Sequence, residues 1–399
     1  MRSLRPLVGA LAVGLLAAAS SAAPDYLPGS RVVPRYARVR PPFRLSVVGP
    51  GVIDGGAYVA PNVTAPTTAT VIAAGKGGDD VADLHVVPAP PPRRGLIAVA
   101  TYDGGIVLHD PVTFAILGTL ATGGAPSDVA IGRDGTIAAP DTSGTTITRI
   151  ARDPWTVSRV DDVPLGNEIL ADDATGAFFV SDRDVGGNGA LTRVAADGTV
   201  TRVITGATAE GLALDATRGI VYVGNVNDGT VLAVDALSMK PIRRIPAVPR
   251  VFGIALSPDG GTLYAVANQS LAARMLAKAG YVGAISLGPT PALAHRSAVI
   301  PFPLGIALDA ADRRVFVTDE GADAIDVLDA RTLRAAHAPL ATCRTPWKPT
   351  FDAASGRLYV PCARANRVDV VDGRSLRRVA GAPFATGAYP LGIAVSQER

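Results

Sequence analysis

Gly305-Ile-Ala-Leu-Asp309, Val315-Phe-Val-Thr-Asp319 and Ala324-Ile-Asp-Val-Leu-Asp329 follow one another within 25 residues. Each is a short apolar run that ends on Asp, and the linkers between them are polar. Runs of this length bounded by turn formers read as β-strands, and three in succession read as a meander. The same phrase recurs upstream as Gly211-Leu-Ala-Leu-Asp215 with Val221-Tyr-Val-Gly-Asn225, and as Gly253-Ile-Ala-Leu-Ser257 with Leu263-Tyr264. Downstream it continues as Leu358-Tyr-Val-Pro-Cys362 and Arg367-Val-Asp-Val-Val-Asp372.

Taking the first residue of the phrase as an anchor gives Asp83, Asp128, Glu168, Gly211, Gly253, Gly305, Lys348 and Gly392, spaced by 40 to 45 residues except for one gap of 52. Eight anchors enclose seven units. A period in the forties with four short strands per unit is the pattern of a β-propeller blade rather than of a helical solenoid. In the fourth unit the strands fall at 211–214, 220–224, 230–234 and 241–245, with Asp- and Gly-bearing turns between them. The inner strands are apolar almost throughout, as expected for a blade covered by neighbours on both faces. Gly392-Ile-Ala-Val395 is a further copy of the first strand with only a short tail after it. It is expected to close the ring by pairing with N-terminal strands, replacing or flanking Leu84–Val87, because closure removes exposed sheet edges. The fold class expected is therefore all-β, a seven-bladed propeller with four antiparallel strands per blade; six or eight blades are the alternatives.

The second-strand phrases ending at Asn225, Asn268, Asp319 and Cys362, with third strands such as Ala324–Asp329, resemble those of the YVTN-repeat β-propellers. The resemblance runs from about residue 83 to the C-terminus. It implies a seven-bladed, exported protein and leaves the role open, since that fold hosts many functions. The first three units depart from the clean phrase, and the fifth carries an insertion of about ten residues.

Composition agrees with many short strands: 43 Gly and 32 Pro supply frequent turns, and 48% hydrophobic residues exclude a disordered chain. Only 18% of residues are charged, with 38 Lys+Arg against 35 Asp+Glu, so no clustered basic surface argues for nucleic acid. Residues 1–22 pair a basic start (Arg2, Arg5) with an apolar run from Leu7 to Ala19 and a small-residue end, the pattern of a signal peptide cleaved before Ala23. That run is too short to span a bilayer. A periplasmic or secreted location follows, without membrane insertion. Residues 23–80 are Pro-rich and read as an extended or loosely docked arm, and residues 81–399 as the propeller. In an oxidising compartment Cys343 and Cys362 are expected to form a disulfide.

The first residue of each innermost strand should line the mouth of the central channel. The mouth is then expected to gather Asp83, Asp128, Glu168 and Lys348, with Glu210, Phe252 and Trp347 one position earlier. Clustered carboxylates suit a divalent cation such as calcium, with Asp128, Glu168 and Glu210 as metal ligands, and the two aromatic rings would offer apolar or cation–π surface. Lys348 could pair with Asp83. The competing reading is structural, with these acids capping turns or pairing with arginines. A second ring at the ends of the second strands, Thr101, Asp141, Asp182, Asn225, Asn268, Asp319 and Cys362, reads as turn-bonding. The insertion Ser270–Ala279 reads as a short helix on the mouth face. His85 is the histidine expected to face the channel.

Two functional readings result. One is a non-enzymatic, monomeric binding scaffold for a small molecule, cation or protein at the mouth face. The other is a metal-dependent hydrolase or lyase of the lactonase-like propeller type acting through the acidic arc. An electron-transfer partner is a third, weaker idea that no residue supports.

Overall fold

A computed structural model describes residues 24–33, 43–75, 78–90, 95–103, 105–152, 155–185, 188–206, 208–268, 280–311 and 313–396. Residues 1–22, read above as a signal peptide, and the insertion 270–279 lie outside them. Almost all regular structure is β. Six four-stranded antiparallel sheets follow in chain order over residues 130–161, 166–204, 209–246, 251–296, 303–341 and 350–385, here sheets II to VII. Each has its strands in sequence order, the arrangement the repeated phrase predicts. In sheet IV the strands are Ala209–Asp215, Ile220–Asn225, Thr230–Asp235 and Pro241–Pro246, and turns at Gly219 and Gly229 use positive φ.

Sheet I is larger. Its strands lie in the order 43–48, 67–75, 78–86, 25–26, 116–120, 105–109, 96–101, 390–396. The C-terminal strand Pro390–Ser396 pairs antiparallel with Leu96–Thr101, Ile393 opposite Val99. It packs on the first strands of sheets II and VII. Of the two arrangements expected, flanking or replacing Leu84–Val87, this pairing is the replacement: Gly78–Val86 lies farther out in sheet I, in a long hairpin with Thr67–Gly75. Asp25–Tyr26 runs parallel to Gly78–Val86 on one side and to the 116–120 strand on the other.

The N-terminal residues thus extend sheet I outward past the 116–120 strand. Leu27 is fully buried among Leu96, Ala98, Leu108 and Leu120, and its amide donates to Thr119 O at 2.8 Å. Val32, Tyr58, Val71, Leu84 and Val86 form a small apolar cluster between this hairpin and a three-stranded sheet, 31–32, 57–59, 52–54. Alternation in Phe43-Arg-Leu-Ser-Val-Val48 matches one covered face.

Between consecutive sheets the core is continuous. Val251, Ile254 and Ile285 meet Tyr222, Val231 and Ile245, while Tyr264 and Val282 meet Val315 and Leu333. Ile97, Val99 and Ile393 meet Tyr359, Val370 and Phe384. A recurring turn between third and fourth strands sets these contacts. In it an Asp carboxylate accepts from the Ser or Thr three residues on, as in Asp110/Thr113, Asp235/Ser238, Asp329/Thr332 and Asp372/Ser375. The next residue, Phe114, Met239, Leu333 or Leu376, has φ of 54–61°. A bulky residue there is strained, and burial of the first three side chains between sheets offsets it.

Candidate functional site

The first strands of successive sheets approach so closely that the anchor residue decides what fits. A Cβ on Gly211 would lie 2.7 Å from Phe252 O, and one on Gly305 would lie 2.8 Å from Lys348 Cα. Glycine is required at both. Where the anchor is an acid, the side chain bridges instead. Asp128 Oδ2 accepts the Ile169 N–H at 3.2 Å, and Glu168 Oε2 accepts the Leu212 N–H at 3.0 Å. Asp128 Oδ1 also accepts the Val129 N–H.

Lys348 reaches from sheet VII to both acids. Its Nζ is 3.1 Å from Glu168 Oε1 and 3.9 Å from Asp128 Oδ2, and all three side chains are about one-seventh exposed, at 14%, 13% and 14%. Nζ itself is sealed from solvent and forms an ion pair without a well-aligned hydrogen bond. Burial pushes the Asp128 carboxyl up to about 6, against the lowering effect of Lys348 and with a further rise from Glu168. Beside this triad, Glu210 is buried, takes Arg183 Nε at 2.9 Å on Oε1, and accepts from Asn167 Nδ2 on Oε2. Burial raises its pKa too, opposed by Arg183 and Lys348.

Phe252 and Trp347 meet edge to face with centroids 6.5 Å apart. The loop carrying Trp347 and Lys348 is fastened: Trp347 N–H donates to Pro361 O, Ala363 N–H donates to Thr345 O, and Cys343 is disulfide-bonded to Cys362 with a Cα separation of 5.6 Å. The pairing expected from sequence is present.

Of the residues expected at the mouth, Asp128, Glu168, Glu210, Phe252, Trp347 and Lys348 come together. Asp83 does not: it is exposed on the outer hairpin of sheet I, where Thr70 Oγ1 donates to it at 2.7 Å. The C-terminal strand holds the place beside Leu96–Thr101 that Asp83 would have needed, so Lys348 pairs with Glu168 and Asp128. His85 lies on the same outer hairpin, 2.6 Å from Asp25. The three proposed metal ligands are held apart by bridging and by Lys348, whose ammonium sits where a cation would be sought. Among the described residues the one group of three potential ligand atoms within 4.8 Å is Cys343, Cys362 and Asp369, and its sulfurs form the disulfide. Sequence reasoning missed Arg183, whose signal was its position directly after Asp182 of the second ring, in the strand Ala177–Val185.

In the second ring Thr101, Asp141, Asn225 and Asp319 bond to their turns, while Cys362 is in the disulfide. Asp141 Oδ1 accepts the Ala125 and Ser143 amides, and Asp319 Oδ1 those of Phe302 and Gly321. Asp182 differs. It is fully buried; Oδ2 accepts from Thr192 Oγ1 and lies 3.5 Å from Arg202 Nε, Oδ1 has no hydrogen-bond partner, and burial raises its pKa to about 7 against the lowering effects of Thr192 and Arg202. Because the folded value lies above the unfolded one, the folded state holds the extra proton between about pH 4 and 7, and stability falls as pH rises through that window. Asp182→Asn is expected to be more stable than the parent by on the order of 2 kcal/mol at pH 8 and equal to it at pH 4, measured by urea unfolding.

No family model and no curated protein matches the sequence. Solved structures do match in fold. A Lactobacillus plantarum protein aligns with TM-score 0.62 at 14% identity, over 76% of this chain and 100% of its own. A protein of unknown function from Desulfotomaculum acetoxidans aligns with TM-score 0.61 at 15% identity, over 77% and 100%. The Swd1 (Cps50) β-propeller domain of Myceliophteria thermophila aligns with TM-score 0.56 at 11% identity, over 69% and 93%. With its four-stranded sheets packed face to face, the chain has a β-propeller fold.

Proposed function

We propose that this chain is an exported, seven-bladed β-propeller of the YVTN-repeat type, its ring closed by Pro390–Ser396, and that it works as a non-enzymatic binding scaffold at the channel mouth. Contact of the C-terminal strand with both sheet II and sheet VII supports closure. The disulfide suits an oxidising compartment, and no helix among the described residues is long and apolar enough to cross a membrane.

The convergence of Asp128, Glu168, Lys348, Phe252 and Trp347 from different sheets carries the binding reading. Paired charges beside two aromatic rings form a polar floor with an apolar flank, the make-up of a ligand site. Glu168, already holding one ammonium, is suited to a small molecule or protein side chain that bears an amine or guanidinium group and competes for its carboxylate. The ammonium between the acids favours this scaffold over metal-dependent chemistry.

A thermal-shift screen of small amines and guanidines tests it. A ligand present at about a hundredfold over its Kd should raise Tm by several degrees in the parent and leave Glu168→Gln and Trp347→Ala unmoved. Shifts that persist in both variants, or no shift from any cationic compound, would overturn the reading.

A further inference from the structure

On the face opposite the mouth, where first-to-second and third-to-fourth strand turns lie, a cleft of about 550 Å³ opens between sheets V and VI. Its cause is visible by comparing one repeat with the next. In sheet IV, Tyr222 stands opposite Ala233, and Ala233 opposite Arg243. In sheet V the same register reads Tyr264, Ala284 and His295. Arg243 spans the gap to sheet V, donating to Leu287 O at 3.0 Å and Gly288 O at 3.2 Å. Arg149 bridges sheets II and III in the same way, and Arg314 bridges VI and VII. His295 is too short for this. Between V and VI the Tyr264 hydroxyl reaches across, donating to Ala330 O at 2.8 Å.

The space so left has an apolar floor of Tyr264, Leu308 and Ala284, and its rim carries Arg313, Arg331 and His295. The carboxylate in the lining, Asp259, is engaged within its own turn by Ser257 Oγ at 2.6 Å and the Gly261 amide at 2.9 Å. Neither Arg313 nor Arg331 forms an ion pair within 4.0 Å among the described residues, and Arg331 has a weaker electrostatic contact with Asp329, whose carboxylate is held in its own turn by Thr332. Two guanidiniums above an apolar floor match a ligand with an anionic head and a short apolar body, because the planar fork binds carboxylate or phosphate through paired hydrogen bonds.

We propose that the V–VI cleft is a second binding site, separate from the mouth, for a small amphiphilic anion bearing a carboxylate or phosphate monoester.

Calorimetric titration of the whole mature protein with octanoate, octyl phosphate and octylamine tests it. At least one anion should bind with a Kd of about a millimolar or tighter, with octylamine at least tenfold weaker. Which anion binds better identifies the head group. Arg313→Ala with Arg331→Ala, both exposed and safe for folding, should weaken binding at least tenfold. His295→Arg, which restores the bridge seen between sheets IV and V, should abolish it while leaving the thermal transition at least as high as the parent's. Equal binding of octylamine, undiminished binding in the double variant, or no binding of either anion at millimolar concentration would overturn the proposal.

Discussion

Lys348→Met is expected to lower the unfolding free energy at pH 8 by about 3–5 kcal/mol, the usual cost of removing one partner from a buried charge cluster. The loss comes from what remains. Asp128 and Glu168 are each about one-seventh exposed, and without the ammonium their charges face each other across the mouth with only backbone amides as partners. The pH dependence distinguishes this from a simple loss of packing. Asp128 already has its folded value raised to about 6 despite Lys348, so deleting the lysine raises it further. A carboxyl whose folded value exceeds its unfolded one favours the folded state at low pH and loses that advantage as pH rises. The penalty should therefore be largest above about pH 7 and shrink as pH falls toward 4. Urea unfolding at pH 8 and pH 4.5 checks this, and a loss of equal size at both would show that Lys348 acts by packing rather than by charge.

The double replacement Cys343→Ser with Cys362→Ser should cost about 3 kcal/mol, the chain-entropy value for a loop of this size. The two residues are 19 apart in sequence. The effect should also be local. Trp347 and Lys348 lie inside the closed loop, and their backbone is otherwise fastened by the Trp347–Pro361 and Ala363–Thr345 hydrogen bonds. Amide exchange in residues 343–349 should quicken beyond what the global loss of stability accounts for. Uniform exchange across the molecule would place the disulfide's contribution in the unfolded chain alone.

Much of the fold could be read from the phrase that begins at Gly305, because each copy is complete within a few residues. Apolar runs, turn glycines and the register between adjacent strands are local, and sheets III to VI follow the boundaries the repeat implied. The residues that gather around Lys348 could be named for the same reason: the repeat fixes a position within two residues of the start of each first strand. The turn that puts Phe114, Met239 and Leu333 at positive φ was also present in the letters, as Asp-x-x-Ser/Thr before an apolar residue. Its meaning appears only when the buried side chain between two sheets offsets the strain.

The sequence by itself determined the repeating unit, the antiparallel order within it and the cysteine pairing, and it singled out Asp128, Glu168, Glu210, Phe252, Trp347 and Lys348, which lie near one another. Tertiary structure decided what depends on distant segments meeting. Pro390–Ser396 rather than the 83–87 segment pairs with Leu96–Thr101, which sends Asp83 to an outer edge. Lys348 finds Glu168 and Asp128, and His295 leaves open a gap that Arg243 closes one repeat earlier. Local propensity sets a strand and its turn, whereas the partner of an edge strand or of a buried charge is chosen by which surfaces can be brought together without leaving a backbone or a charge unsatisfied.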